Sequence, residues 1–158
     1  MIVTYQAVLS SPVGKLGIRT SESKLLGIDY LSDEVELVKP KNIIAKETVE
    51  QLLCYFADPT YQFNLPLELD VSHFQKTVLE FLQRIPTGTT QSYAKLAQNL
   101  NTSPRPIGNA CRKNPLPIVI PCHRVIAEKN LGGYNGDKRG RMIDIKRWLL
   151  EHEDALIS

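Results

Sequence analysis

One stretch limits what this chain can fold into more than any other: "ADPTYQFNLPLELDVS", residues 57–72. Pro59 and Pro66 each lack a backbone donor, so neither a helix nor a central strand runs through them. Before this stretch the sequence is β-rich with turn signals; after it, apolar residues recur every three to four positions. The change of period predicts two lobes, 1–70 and 71–158, in an α+β protein. A length of 158 residues suits one domain's worth of core with a small second lobe.

In the first lobe, "IVTYQAVL", "KLGIRT" and "KLLGIDYL" are separated by the turn-like "SSPVG" and "SESK". They read as a small antiparallel meander. A helix is expected over 44–57, with Val49, Leu52, Leu53 and Phe56 on its buried face. The second lobe opens with Ser72 and Gln75, which can form a capping box. Phe74, Thr77, Val78, Phe81, Leu82 and Ile85 follow at helical spacing until Pro86-Thr87-Gly88 ends the run. Thr90 or Ser92 caps a short helix carrying Tyr93, Leu96, Ala97 and Leu100. Ser103 as N-cap and Pro104 at the first helical position then open another helix through "RPIGNACRKN". Two short helices across a tight turn suggest a helix-turn-helix. A last helix from about Asp144 brings Ile145, Trp148, Leu149, His152, Leu156 and Glu153 to one face. A carboxylate on that face either lies at a solvated end or meets a buried partner, for which His123 is the candidate.

No apolar run approaches the roughly 18 residues of a membrane span, and "MIVTYQAVLS" lacks the pattern of a signal peptide. The three cysteines, Cys54, Cys111 and Cys122, are odd in number and form no C-x-x-C pair. That argues for a reducing compartment, the cytoplasm, with Cys54 and Cys111 as inert packing groups. Three scattered histidines offer no ligand spacing, so no metal is expected. Charge is uneven. Residues 105–147 hold ten Lys/Arg (Arg105, Arg112, Lys113, Arg124, Lys129, Lys138, Arg139, Arg141, Lys146, Arg147) against Glu128, Asp137 and Asp144, which is +7 where the remainder is −5. The segment is either a solvated basic face or a surface facing phosphates.

Within it lies "IVIPCHRVIAEK", 118–129. Its apolar start reads as a buried strand, which breaks at Pro121 and presents Cys122 and His123 side by side. An ordinary thiol is only a few per cent thiolate at neutral pH. A histidine base oriented by a carboxylate would raise that fraction. Full ionisation gains only about 30-fold, so positioning must supply the rest of any large acceleration. Side chains of adjacent residues diverge in a strand, so the pair needs a tight turn or a bridging water to cooperate.

"PCHRVI" (121–126), with "GNACRKNPLPIVI" before it and "GGY" and "WLLEHE" after it, closely resembles the 6-O-alkylguanine-DNA alkyltransferases, the methylated-DNA–protein-cysteine methyltransferases. The resemblance is strong over 72–153 and fainter over 1–57, where "SSPVGKLGI" carries it. It implies a small ribonuclease H-like N-terminal lobe with an antiparallel sheet, and a mainly helical C-terminal lobe with a DNA-binding helix-turn-helix. It further implies irreversible, single-turnover transfer of an alkyl group to Cys122. The donor would be the 6-oxygen of guanine, and the 4-oxygen of thymine, in double-stranded DNA with the base flipped out. By motif match, His123 would take the thiol proton through a water and Glu153 would orient the imidazole. Asn114 would tie the recognition helix to the active-site turn. Arg105 would replace the flipped base in the stack, and Tyr93 would contact phosphate and protonate the leaving guanine. Tyr134 and Asn135 would belong to the loop over the extruded base. No cofactor or metal is implied, no membrane is involved, and the protein would act as a monomer.

Two departures bear on the site. Asn135 stands where serine or glycine is common in the family, in a longer and more basic loop, "YNGDKRGRMIDIK". Pro104 and Pro106 flank Arg105. Rival readings account for fewer residues. A lesion sensor of related sequence lacks the reactive cysteine, a helix-turn-helix regulator leaves Cys122, His123 and Glu153 without a purpose, and a thiol hydrolase should turn over repeatedly.

Overall fold

The computed structural model describes residues 3–155, so the expected contribution of Leu156 to the last helix lies outside the described residues. Backbone contacts divide the chain into two compact units between Asp70 and Val71.

The first unit is a three-stranded antiparallel meander, β1 (Ala7–Leu9), β2 (Lys15–Thr20) and β3 (Leu25–Leu31), followed by α1 (Ile43–Ala57). The register pairs Val8 with Gly17 and Ile18 with Ile28. Gly17 is required there, because a Cβ would stand 2.6 Å from the Tyr5 ring. Asn42 starts α1 by accepting from the Ala45 amide at 2.8 Å, while its own amide donates to Thr20 Oγ1 at 2.8 Å. The helix is thereby tied to the end of β2. Its buried face differs from the expected one: Ile44, Ala45, Thr48, Leu52 and Tyr55 are buried, whereas Leu53 is half exposed. Thr48 can lie inside because its hydroxyl donates to the Ile44 carbonyl at 2.8 Å, leaving no buried donor unpaired. Cys54 is exposed on this helix, which corrects its expected role as a packing group.

The second unit begins with α2 (His73–Leu82), which buries Val78, Leu79 and Leu82. Ser72 accepts from the Gln75 amide at 3.1 Å, but the Gln75 side chain donates to the Lys113 carbonyl at 3.0 Å. Half of the expected capping box is therefore replaced by a link to a later helix. A short strand β4 (Gln91–Ser92) leads directly into α3 (Tyr93–Asn99), and Ser92, not Thr90, caps it. The next helix is α4 (Pro104–Arg112), which packs on α3 and α2 as a helix-turn-helix. Ser103 occupies its N-cap but makes no side-chain cap bond. Pro106 stands at the third helical position, where the amide that usually donates to such a cap is missing. A single 3-10 turn (Cys122–Arg124) runs into β5 (Val125–Ile126), which pairs in parallel with β4, Gln91 to Val125 and Ser92 to Ile126. Finally α5 (Arg141–His152) starts three residues earlier than expected and packs on the 3-10 turn. Among the described residues no helix is long and apolar enough to cross a membrane.

Candidate active site

The segment before Cys122 is not the strand its apolar composition suggests. The Ile120 amide returns to the Leu116 carbonyl at 2.8 Å, and Ile118 adopts a φ of 75°. A β-branched residue in the left-handed region costs about 1–3 kcal/mol and persists only where its surroundings enforce it. Here burial of Ile118 and Ile120 and the side chain of Asn114 enforce it. Asn114 is itself buried, accepts from the Leu116 amide at 3.0 Å and donates to the Ile120 carbonyl at 2.9 Å. Burial of such a side chain contributes about 1.5–3 kcal/mol and each hydrogen bond about 1 kcal/mol, which together exceed the strain. The same Ile120 carbonyl accepts from the Cys122 amide at 2.8 Å, so the turn ends by fixing the residue that carries the thiol.

Cys122 and His123 then lie in one 3-10 turn after Pro121, which is how neighbouring side chains come to serve one site. His123 is fully buried, and its Nε2 stands 2.8 Å from Glu153 Oε2. Its Nδ1 is buried with no hydrogen-bond partner among the described residues. Glu153 caps the C-terminus of α5, and its other neighbour is Arg124, whose Nε and Nη2 donate to the carboxylate at 2.8 and 3.0 Å. Arg124 Nη1 also donates to the Ile85 carbonyl at 2.6 Å, and Nη2 to Thr87 Oγ1 at 3.2 Å. The four-residue stretch Ile85–Gly88 after α2 thus helps hold the carboxylate's partner. Although burial opposes ionisation of Glu153, the bonds from His123 and Arg124 prevail and hold its pKa down at about 2. Burial lowers the His123 pKa despite Glu153, so the ring is neutral at pH 7. A neutral ring facing a carboxylate carries its proton on Nε2, which leaves Nδ1 as the acceptor.

Cys122 is 5% exposed and lines a pocket of about 750 Å³. Arg105, exposed on the first turn of α4, stands at its edge, and Tyr93 and the buried Tyr134 form walls. Tyr93 donates weakly to the Gly133 carbonyl at 3.5 Å, and its ring leaves no room for a side chain at residue 132. Gly132 also has a φ of 72° there, which favours glycine twice over. Asn135 and Gly136, with φ of 50° and 88°, form a two-residue turn closed by Tyr134 and Asp137. Asn135 points its amide at Met142 Sδ, 3.3 Å away, and is exposed.

Burial pushes the Cys122 thiol up, against the hydrogen bond from Asn114 and the charge of Lys146, which lower it. The resting thiol is therefore more protonated than a free one. Cys111 also faces the pocket, and burial pushes its thiol up too. Among the described residues no cluster of three or more His, Cys, Asp or Glu could hold a metal ion.

Two residues of the site were read from sequence only as surface charge. Arg124 is bound to Glu153 with its side chain 11% exposed, and Lys146 is completely buried beneath the loop 131–133. The exposed bases of 105–147 are thus eight, not ten, against three exposed carboxylates, so the surface charge is 8 − 3 = +5 and not +7.

Comparison with known proteins accounts for both lobes. Residues 73–155 match the family model "6-O-methylguanine DNA methyltransferase, DNA binding domain", and residues 4–69 match its "ribonuclease-like domain". A methylated-DNA–protein-cysteine methyltransferase of Sulfolobus acidocaldarius is 33% identical over 155 residues, 96% of this chain and 94% of that protein. One from Archaeoglobus fulgidus is 46% identical over 88 residues, 56% of this chain and 60% of its own length. The crystal structure of the Mycobacterium tuberculosis O6-methylguanine methyltransferase superposes with a TM-score of 0.79 at 33% identity, covering 93% of this chain and 90% of that one. A further structure from that organism, of the protein in complex with DNA, has a TM-score of 0.77. Matched in each lobe and over nearly all of its length, the chain belongs to the 6-O-methylguanine DNA methyltransferase family of DNA-repair enzymes, the methylated-DNA–protein-cysteine methyltransferases.

Proposed function

We propose that this protein repairs double-stranded DNA by moving a methyl or other alkyl group from the 6-oxygen of guanine to Cys122 Sγ, once per molecule. The 4-oxygen of thymine is a second donor, because there too a neutral base leaves. The observation that carries this reading is a pocket-facing Cys122 in one turn with a His123 whose Nε2 is committed to Glu153. Nδ1 is then the acceptor for the thiol proton, through a bridging water. As Sγ attacks the alkyl carbon, the carbon–oxygen bond breaks and its electron pair passes to the base. A proton delivered there, with Tyr93 as donor, makes the leaving guanine neutral. The new imidazolium lies against the Glu153 carboxylate, which stays ionised at any ordinary pH. The thioether is stable, so the protein is consumed and needs no cofactor.

A thiol that is 5% exposed cannot reach a base within a duplex. The lesion must be turned out into the pocket, at a cost of a few kcal/mol that damaged pairing reduces. Arg105 fills the vacated place in the stack, Asn114 keeps the recognition helix in register with the thiol, and Tyr134 and Asn135 close over the base. The seven other exposed bases of 105–147 meet phosphates, which needs no sequence readout. The acceptor has to remain a free thiol, which fits a reducing cytoplasm, and one chain carries the whole apparatus, so a monomer suffices. Repair of excess methylated duplex by a known amount of protein tests the reading. The yield should plateau at one lesion per molecule; continued turnover would refute it.

A further inference from the structure

Methyl transfer leaves part of the pocket without a use. Of the eight exposed bases of 105–147, Arg105, Arg112, Lys129 and Lys138 also line the pocket that holds Cys122. They stand against two carboxylates of the same wall, Glu128 and Asp137, a net charge of +2. A methyl group on guanine is uncharged and gives these cations nothing to bind. It also leaves room. At about 750 Å³ the cavity has the size of those that enclose drug-sized ligands, about 300–1,000 Å³, and a methylated base fills only part of it.

Among these cations Arg112 has a seat. It ends α4, and a Cβ at Gly136 would stand 3.6 Å from its Nε and 3.8 Å from its Cγ, so its stem runs along the Asn135-Gly136 turn. The side chain thus spans from α4 to the loop that follows Tyr134, two different walls of the cavity. Among the described residues no carboxylate pairs with its guanidinium, Glu128 and Asp137 included. Its N–H donors form a planar fork that matches a carboxylate with two parallel hydrogen bonds, and a stem already packed loses little freedom on binding. We propose that Arg112 is a specificity-determining residue: it binds a terminal carboxylate on a bulky 6-O substituent, so that guanines carrying such adducts are repaired faster than those with uncharged adducts of the same size. The proposal rests on Cys122 as the acceptor. The transfer keeps its course. Cys122 Sγ bonds to the carbon attached to the 6-oxygen, the carbon–oxygen bond breaks with its electron pair passing to the base, and the base takes up a proton. A duplex phosphate offers the same guanidinium an anion from outside the cavity, and varying the substituent alone tells the two sources apart.

Two duplexes that differ only in the adduct, 6-O-(4-carboxybenzyl)guanine and its uncharged isostere 6-O-(4-carbamoylbenzyl)guanine, make that comparison in single-turnover reactions. The ratio of the two rates within one protein cancels the phosphate contacts. Comparing ratios between proteins cancels the intrinsic difference in reactivity of the two benzylic carbons. The carboxylate-to-amide ratio should be about fivefold higher in the wild type than in Arg112→Gln, the scale of an exposed ion pair. Arg112→Lys should fall between them, because it keeps the charge and loses the fork. Added salt should lower the wild-type ratio towards that of Arg112→Gln. Equal ratios in the wild type and Arg112→Gln would overturn the proposal; with both rates slowed alike, Arg112 would serve phosphates only. Methyl transfer from duplex to Cys122 with neither benzyl group accepted would overturn it too, while sparing the transfer reading. Failure to take even the methyl group would sink the transfer reading itself, and this proposal with it.

Discussion

His123 Nε2 and Glu153 Oε2 are 2.8 Å apart although 30 positions separate them in the chain, and both side chains are fully buried. The contact determines which imidazole nitrogen is basic, and Arg124 on the same carboxylate ensures that it stays charged. Replacing Glu153 by Gln keeps the shape, removes the charge and leaves Arg124 without a counter-ion. Transfer at pH 7 should slow by roughly a hundredfold, the scale of an impaired general base. Single-turnover rates on a methylated duplex check this, and an unchanged rate would remove Glu153 from the mechanism.

Acid should unfold the protein partly through this cluster. The carboxyl of Glu153 falls from 4.5 to about 2 on folding, so its stabilisation is complete above pH 4.5 and is lost as pH drops from 4.5 towards 2. The linked free energy is about 3 kcal/mol. His123 acts in the same direction: its lowered pKa means that the unfolded chain takes up the proton first as pH falls below 6.5. Urea midpoints should therefore decline below pH 6.5, and the advantage of the wild type over Glu153→Gln should shrink between pH 4.5 and 2. A pH-independent advantage would contradict the assigned ionisation.

Much of this architecture was legible in the residues. The two prolines of 57–72 separated the periods, and Ser72, Ser92 and Pro104 marked three helix starts that the fold retains. What stayed hidden was set by tertiary partners. Lys146 and Arg124 looked like members of a basic surface because no local pattern announces a carbonyl cage or a distant carboxylate. Ile118–Ile120 looked like a strand because composition does not reveal a φ of 75° held by Asn114. The face of α1 was misplaced because Thr48 satisfies its own hydroxyl within the helix. One missed signal was local: Asn135-Gly136 is a strong two-residue turn pair, and it forms such a turn.

Asn114→Ala should both destabilise and slow the protein. Its removal orphans the buried Leu116 amide, at about 1–3 kcal/mol, and takes from the Ile120 carbonyl one of its two donors, at about 1 kcal/mol, leaving the Cys122 amide. Urea unfolding should show a loss of about 2–4 kcal/mol, with a slower reaction towards even a free alkylated base. Wild-type stability would mean that the turn holds itself.

Arg105→Ala should separate chemistry from base extrusion. Arg105 is exposed at the pocket edge and touches none of the groups that move the thiol proton. Reaction with free 6-O-benzylguanine should be kept, while most of the reactivity towards duplex is lost. Equal losses on both substrates would show that Arg105 does not assist extrusion.

The final location of the alkyl group decides whether Cys122 is the acceptor. After incubation with a duplex bearing 6-O-methylguanine, tryptic peptides should show one methyl on the peptide containing Cys122, stoichiometric with lesions removed and absent in Cys122→Ala. A restored strand beside an unmodified Cys122 peptide would contradict it.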